Sequence, residues 1–227
     1  MYTRNIDRLG IHRMKMSDGP QGLGTHGQST AYPATVLLAA TWNEELAYEY
    51  GKSLGRDCNA RGINVLLGPA VNIYRAPMCG RNFEYMGEDP YLVARTSAGY
   101  VKGVQDQGIM AVIKHFSANN SDYDRHEISN DIDERALNEI YFPAFKHAVQ
   151  EADVAAVMTS YNLIHGVYTT ESPWLLKGVL RDQWGFNGLL MSDWGSTHHS
   201  IPAMKAGLDL EMLSLIHISE PTRLALI

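Results

Sequence analysis

The amino-acid sequence predicts an α/β protein, more specifically a (β/α)8 barrel of the TIM type that is incomplete at both ends. Short apolar runs alternate with helix-like segments, and the runs are continuously apolar. This pattern indicates parallel strands that are joined by helices and covered on both faces. Polar side chains follow almost every run directly, as in a barrel that builds its active site at the carboxyl ends of its strands. The alternative is a doubly wound sheet, but no GxGxxG or phosphate-binding loop follows the early strands.

Helices and strands are predicted in alternation along the chain. The first helix begins with Thr41 and Glu44 as a capping box and ends at Gly62. The second helix has Asp89 as its N-cap and Pro90 in its first turn. The predicted helices cover residues 41–61, 89–107, 133–151, 172–185 and 201–206, and the predicted strands cover 63–67, 109–113, 154–158, 188–192 and 208–212.

Proline marks two of the later helices. Pro143 stands inside the third helix, whose apolar residues otherwise recur at helical spacing, and should kink it. Ser172 and Pro173 begin the fourth helix, which is expected to end near Gly185.

Composition and residue spacing argue against several classes of partner and metal site. The 227-residue chain has a formal net charge of −6 and no basic patch, which argues against nucleic acid and anionic membrane as partners. No apolar run approaches the roughly 20 residues of a membrane span. Cys58 and Cys79 make neither a disulfide framework nor a zinc site, and Cys58 is predicted to be a buried thiol. The adjacent His198 and His199 do not face one another on a helix, so no metal site is predicted. No cofactor is predicted either. Compartment and oligomeric state stay open.

Candidate site residues follow four of the predicted strands. Asp193 has two interpretations, a catalytic carboxylate or the N-cap of the next helix. Trp194 fits either a core position or a surface that stacks on a sugar ring. Lys114 and His115 are interpreted as functional, because both follow an apolar strand without a spacer. The full set is Asn72 and Arg75, Lys114 and His115, Thr159, Ser160 and Tyr161, and Asp193 and Trp194.

Ordered motifs along the chain closely resemble glycoside hydrolase family 3. The resemblance covers about residues 14–212 and implies a retaining β-glycosidase that acts on a small oligosaccharide or an aryl β-glucoside. The motifs are SDGPQG (Ser17 to Gly22), GRNFEYMGEDP (Gly80 to Pro90), KHF (Lys114 to Phe116), MTSYN (Met158 to Asn162), MSDWG (Met191 to Gly195) and AGLDLEM (Ala206 to Met212).

The resemblance also implies a role for each matched residue, with Asp193 as the catalytic nucleophile. A neutral, polyhydroxylated sugar needs charged donors and acceptors at fixed positions and an apolar face to pack on. Asp18 would bind the outer hydroxyls of the glucosyl ring, and the adjacent hydroxyls would be bound by Arg81, Lys114 and His115. Tyr161 would lie near the ring oxygen. Met158 would line the pocket, and Trp194 would pack against the sugar.

The sequence departs from the family pattern in two places. The β-glucosidase branch carries its general acid/base, a glutamate, in a second domain after the barrel, and no glutamate here is assigned that role. Glu84 and Glu88 are interpreted as structural or loop-fixing. Residues 213–227 (LSLIHISEPTRLALI) do not continue the pattern and are interpreted as a sequencing or assembly artefact, the alternative being a family-specific insertion. A partial family domain is therefore expected over residues 1–212.

The sequence leaves several alternatives for the substrate of the enzyme. The run DERALNEIYFPAF, residues 133–145, resembles the β-glucosidase branch, which hydrolyses terminal non-reducing β-D-glucosyl residues. A β-xylosidase is one alternative. Another is an N-acetylglucosaminidase, a branch that uses a histidine acid/base in a DSH context, where His126 is a possible counterpart but stands in DRH. An inert sugar-binding remnant is the non-enzymatic alternative.

Overall fold

The main sheet of the protein is parallel. The computed structural model describes residues 1–24 and 27–212. Its strands are β1 (Met16–Asp18), β2 (Val65–Leu67), β3 (Met110–Phe116), β4 (Ser129–Asn130), β5 (Ala156–Thr159), β6 (Leu163–Ile164), β7 (Val167–Tyr168) and β8 (Leu189–Met191). Its α-helices are α1 (Thr35–Ala39), α2 (Glu44–Ala60), α3 (Pro90–Gln105), α4 (Glu134–Ala136), α5 (Pro143–Ala152) and α6 (Ser200–Ala206). The main sheet has the order β1-β2-β3-β5-β8, and β4, β6 and β7 form a small second sheet.

The strand order of the main sheet identifies a barrel-type topology. Each strand lies beside the one that precedes it in the main sheet, and every pair is parallel. Met191 in β8 forms a further parallel bridge with Leu210, which continues the same order. In place of the strand predicted over 208–212, the structure has this isolated bridge. A doubly wound sheet would reverse its order at a switch point. The predicted α/β barrel architecture is therefore confirmed, although the sheet of the described residues does not close into a ring.

Both faces of the main sheet are buried, as predicted. Side chains alternate between the two faces of a strand. Leu66 in β2, Ile113 in β3 and Leu190 in β8 pack with the helices in the larger apolar cluster. The opposite face, which is the interior side of a barrel, packs into a smaller cluster that comprises Met16, Val65, Leu67, Val112, Ala156, Met158, Met191 and Met212.

Strand β3 extends three residues beyond its predicted end. Lys114 and His115 therefore lie within the strand and not after it. The backbone N–H of Lys114 donates to the carbonyl of Pro69 at 3.0 Å, and the N–H of Val71 donates to the carbonyl of Lys114 at 2.8 Å. The polar side chains end the apolar run in the sequence, but they do not interrupt backbone pairing.

The predicted capping box of α2 is wrong by two residues. Asn43 is the N-cap, because its Oδ1 accepts from the backbone N–H of Leu46 at 3.0 Å. Thr41 instead donates its hydroxyl to the carbonyl of Leu38 at 2.7 Å, which ties it to the end of the preceding helix. Asparagine and threonine are both good N-caps, so the sequence did not separate them.

Later helices begin where predicted but are irregular. Asp89 caps α3 and Asp133 caps α4, each through a side-chain oxygen. A π-helical turn, Leu137–Tyr141, separates α4 from α5, which begins at Pro143. The predicted kink is therefore a break between two helices, since proline lacks the N–H that would continue the ladder. The fourth predicted helix is a π-helical segment, Trp174–Gln183.

Helices α2 and α3 pack so closely that a glycine is required at the contact. A Cβ at Gly103 would lie 2.0 Å from the carbonyl oxygen of Tyr48 and 2.7 Å from the nitrogen of Lys52. Gly103→Ala should lower the free energy of unfolding by about 1–3 kcal/mol, because the helices must move apart. Urea denaturation measures the loss. Gly178→Ala is the matched control, since the nearest atom to its Cβ is the carbonyl oxygen of Pro173 at 4.0 Å. Equal losses in the two variants would contradict the close packing.

Other predictions concern thiols, membranes and metals. Cys58 is fully buried in α2, as predicted, and Cys79 is a partly exposed free thiol. In the described part of the chain, no helix is long and apolar enough to cross a membrane. Nor do residues 1–24 and 27–212 contain three His, Cys, Asp or Glu side chains grouped to hold a metal ion. The predicted artefact at 213–227 lies outside the described residues.

Candidate active site

A cavity of about 650 Å³ lies at the carboxyl ends of the main strands. Four of the predicted substrate-binding residues line it: Asp18, Arg81, Lys114 and Tyr161. Asp18 ends β1, Lys114 lies near the end of β3 and Tyr161 follows β5, so three strands deliver these side chains to one place. The other walls come from residues 19–24 and 29–31, Gly80, Phe83, Glu84, Asp122 and Arg125.

Asp193 follows β8 and contacts two of the residues that line the cavity. Its side chain is 7% exposed. Its Oδ1 accepts a hydrogen bond from the hydroxyl of Tyr161 at 3.0 Å and another from the backbone N–H of Trp194 at 2.7 Å. Its Oδ2 is buried and accepts no hydrogen bond within the described structure. Arg81 Nη1 lies 3.7 Å from Oδ2, and His115 Nε2 lies 3.5 Å from it. One carboxylate oxygen is thus fixed, while the other is unsatisfied and faces a cation.

Arg81 connects the two carboxylates at the centre of the site. Its Nε donates to Glu84 Oε1 at 2.6 Å, and its Nη2 lies 2.7 Å from His115 Nε2. One turn of 3₁₀-helix separates Arg81 from Glu84, and three residues per turn bring both side chains to the same side. The other oxygen of Glu84 lies 3.6 Å from Lys114 Nζ. Two cations, Arg81 and Lys114, and two carboxylates, Glu84 and Asp193, therefore form one buried cluster.

His115 is a neutral hydrogen-bond acceptor. Burial lowers its pKa well below 6.5, and the positive charges of Arg81, Lys114 and Arg125 act in the same direction. Because a guanidinium only donates, His115 Nε2 accepts from Arg81, and the ring proton is assigned to Nδ1. Asn72 Oδ1 lies 3.3 Å from that nitrogen, and the Asn72 amide also bonds the backbone N–H and carbonyl of His115, each at 2.9 Å. The imidazole is therefore held from two sides and carries no charge toward the neighbouring carboxylate.

We expect the free energy of unfolding to fall as the pH drops below about 6.5. An unfolded histidine takes up a proton near pH 6.5, whereas His115 stays neutral to lower pH because its folded-state pKa is lowered. The unfolded state then binds more protons, and one such group removes up to about 1.4 kcal/mol per pH unit. Burial lowers the pKa of His147 and His198 too, with the same sign of effect.

Urea denaturation at a series of pH values measures this slope. His115→Gln should reduce the slope by the equivalent of about one proton. His12→Gln, at an exposed position, should leave it unchanged. A free energy of unfolding that is independent of pH below about 6.5 would contradict the neutral state of buried His115.

Arg125, which the sequence did not indicate, and His126, which it indicated only for the N-acetylglucosaminidase alternative, hold the ring of Tyr161. The guanidinium of Arg125 lies 4.5 Å from the ring centre, and the ring of His126 is also 4.5 Å away. Arg125 pairs with Asp122 at 3.2 Å, and both line the cavity. Burial and the carboxylate of Asp193 raise the pKa of Tyr161, so its hydroxyl remains a proton-bearing donor. A charged pair so soon after the KHF motif is the signal that could have identified Asp122 and Arg125.

Met158 and Trp194 are not among the residues that line this cavity. Met158 is almost fully buried in the interior cluster of the sheet. Trp194 packs partly against the same cluster and lines a separate cavity beside the N-terminal segment. Their roles as a pocket wall and a sugar-packing surface stay predictions. Arg75 donates to the hydroxyl of Tyr141 at 2.9 Å, whereas Asn72 joins the site through His115.

This arrangement suits nucleophilic attack by a carboxylate on a neutral, hydroxyl-rich substrate. Asp193 offers one free oxygen beside a guanidinium, and Asp18, Arg81 and Lys114 present acceptors and donors to the cavity. A retaining glycosidase also needs a proton donor. Both oxygens of Glu84 face cations, which is not the setting of such a donor.

Comparison with known proteins gives consistent matches. The model of the glycosyl hydrolase family 3 N terminal domain matches residues 2–222. A beta-glucosidase from Rhizobium radiobacter is 48% identical over 92% of this chain and 26% of its own length. An exo-alpha-(1->6)-L-arabinopyranosidase from Bifidobacterium longum is 42% identical over 93% of this chain and 30% of its own. The structure of beta-glucosidase 3B from Thermotoga neapolitana in complex with glucose has a TM-score of 0.89 at 44% identity, over 93% of this chain and 31% of its own.

The fold, together with these matches, defines the class of protein as the glycoside hydrolases. Within that class, the chain belongs to glycoside hydrolase family 3, as the resemblance of its motifs indicated. It spans about a quarter to a third of the length of the relatives it matches. The predicted domain boundary at residue 212 stays a prediction.

Proposed function

We propose that the protein is part of a retaining β-glycosidase of the β-glucosidase type and that Asp193 is its nucleophile. The observation that supports this most directly is the inequality of the two oxygens of Asp193. Tyr161 and the backbone N–H of Trp194 immobilise Oδ1, while Oδ2 has no hydrogen-bond partner in the described structure. A nucleophile needs this combination of a fixed orientation and one available oxygen.

The reaction proceeds in two displacements. Asp193 Oδ2 attacks the anomeric carbon, the bond to the leaving oxygen breaks with its electron pair, and that oxygen takes a proton from the general acid. Water then attacks the anomeric carbon from the face opposite the ester and loses a proton to the same group acting as base. The ester bond breaks to regenerate the carboxylate. Two inversions give net retention, and Arg81 beside Oδ2 stabilises the carboxylate as it is released.

Substrate binding is divided between direct and indirect contacts. Asp18, Arg81 and Lys114 line the cavity and would bind sugar hydroxyls themselves. His115 would act mainly through Arg81, because its Nε2 accepts from that guanidinium and its Nδ1 faces Asn72. The general acid/base is proposed to come from outside residues 1–212, since Glu84 is the one glutamate among the described residues that line the cavity and both of its oxygens face cations.

A panel of aryl glycosides tests the proposed specificity. We expect hydrolysis of the β-D-glucoside to exceed that of the β-D-xyloside, the α-L-arabinopyranoside and the N-acetyl-β-D-glucosaminide. The arabinopyranoside is included because one relative is named for that activity. A preference for the glucosaminide would favour the alternative that uses His126. Binding of glucose in calorimetry without turnover of any member would indicate an inert sugar-binding protein.

A further inference from the structure

We propose that Glu84 is a positioning residue for this reaction. It holds Arg81 and Lys114 in place at the wall of the cavity, and it supplies the negative charge that balances them beside Asp193. The proposal rests on the proposed function of Asp193 as nucleophile. It gives a specific role to a residue that the sequence pattern identified only as structural or loop-fixing.

The geometry of Glu84 is that of a clamp between two cations. Its Oε1 lies 2.6 Å from Arg81 Nε, and its Oε2 lies 3.6 Å from Lys114 Nζ. All three side chains are largely buried, with 6% of Glu84, 16% of Arg81 and 5% of Lys114 exposed. The two cations come from separate parts of the chain, a loop after β2 and the strand β3, and the carboxylate of Glu84 contacts both.

The orientation of the Arg81 guanidinium depends on this clamp. The group is planar, and its nitrogens point in fixed directions. Nε faces Glu84, Nη2 faces His115 and Nη1 faces Asp193 Oδ2 at 3.7 Å. Without an acceptor at Nε, the plane can rotate toward the free carboxylate oxygen and engage it. Such a contact would occupy the oxygen that must attack the substrate.

The charge of Glu84 matters as well as its reach. Asp193 is faced by Arg81, by neutral His115 and by the hydroxyl of Tyr161, with Arg125 stacked on the Tyr161 ring. Loss of the Glu84 charge would leave the cations around the site uncompensated. The free oxygen of Asp193 would then lie in a more positive surrounding and would be less nucleophilic.

Covalent labelling by 2-deoxy-2-fluoro-β-D-glucosyl fluoride isolates this effect. Fluoride leaves with its electron pair and needs no proton donor, so the labelling rate reports formation of the ester on Asp193 alone. Glu84→Gln should slow labelling roughly 10- to 100-fold, because the amide offers one acceptor oxygen in place of two and its NH2 group faces the other cation, so that Arg81 and Lys114 are no longer both held in place. It should also move the acidic limb of the pH–rate profile down by about one pH unit, because one nearby negative charge is lost.

Two further variants separate the effects of the charge and the side-chain length of Glu84 from a general loss of stability. Glu84→Asp keeps the charge on a shorter side chain, so it should restore the wild-type acidic limb but not the full rate. Glu139→Gln removes the same charge from an exposed pair, with Arg135 at 2.9 Å, and should change neither rate nor limb. Near-ultraviolet circular dichroism reports whether each variant is folded.

The possible outcomes distinguish this inference from the proposed function. A folded Glu84→Gln variant with an unmoved acidic limb would mean that Glu84 has only a structural role. If that variant does not fold, the labelling rate of Glu84→Asp tests the inference instead. A wild-type rate in Glu84→Asp would contradict the proposal that Glu84 holds the two cations in place. Wild-type protein that is not labelled at Asp193 would instead overturn the proposed function itself.

Discussion

Asp193→Asn should abolish covalent labelling by 2-deoxy-2-fluoro-β-D-glucosyl fluoride. The asparagine oxygen can still accept from Tyr161, so the shape of the site is retained. A neutral amide is a poor nucleophile, and the labelling rate should fall by about a thousandfold or more. Intact-protein mass spectrometry detects the added fluoroglucosyl group, and digestion locates it.

Asp182→Asn is the matched control for this substitution. It removes the same charge from an exposed aspartate close to Asp193 in the sequence, and labelling should proceed at the wild-type rate. Labelling that survives in Asp193→Asn would show that another carboxylate attacks the sugar. Asp18 would then be examined next, because its carboxylate lies at the wall of the same cavity.

Cellobiose should be a far poorer substrate for the 227-residue chain than an activated aryl glucoside. A sugar leaving group needs a proton as its bond breaks, whereas a dinitrophenolate does not. General acid catalysis is commonly worth about 10²–10⁴-fold, and we assign no general acid among the described residues. Initial rates of glucose release from cellobiose and of dinitrophenolate release from the aryl glucoside measure the ratio.

Azide provides an internal test of the same prediction. It attacks the anomeric carbon without losing a proton, so it needs no general base. With the aryl glucoside, azide should accelerate the second displacement and give the β-glucosyl azide. Rapid turnover of cellobiose, with no response to azide, would show that an acid/base residue lies within this chain.

Much of the site could be predicted because residues that follow the strands of a parallel sheet lie together at one edge of that sheet. Lys114, Tyr161 and Asp193 each lie at or just after the carboxyl end of an apolar run, and such ends meet at one edge of the sheet. Asp18 and Arg81 follow no predicted strand, and only the resemblance of their motifs to the family indicated them. For Lys114, Tyr161 and Asp193, the prediction needed only the locations of the runs. Small errors in strand length, such as the three additional residues of β3, did not move these side chains away from that edge.

The role of Glu84 could not be predicted from spacing in the same way. Its i,i+3 relation to Arg81 is visible in the sequence, but its contact with Lys114 depends on how a loop folds onto another strand. The placement of Met158 has a different origin. Side chains alternate along a strand, and Met158 shares with Ala156 the face of β5 that forms the interior cluster. A family motif names such a residue without specifying which face it occupies.

The sequential strand order has a consequence for folding kinetics. Asp18 and Asp193 come from opposite ends of the main sheet, so the candidate site is complete only when every strand between them is in register. Contacts of such large sequence separation form slowly, because loop closure precedes the gain from pairing. Sugar binding should therefore appear late during refolding, after most helix has formed. A ligand that binds only the assembled cavity would stabilise the whole sheet and not one local segment.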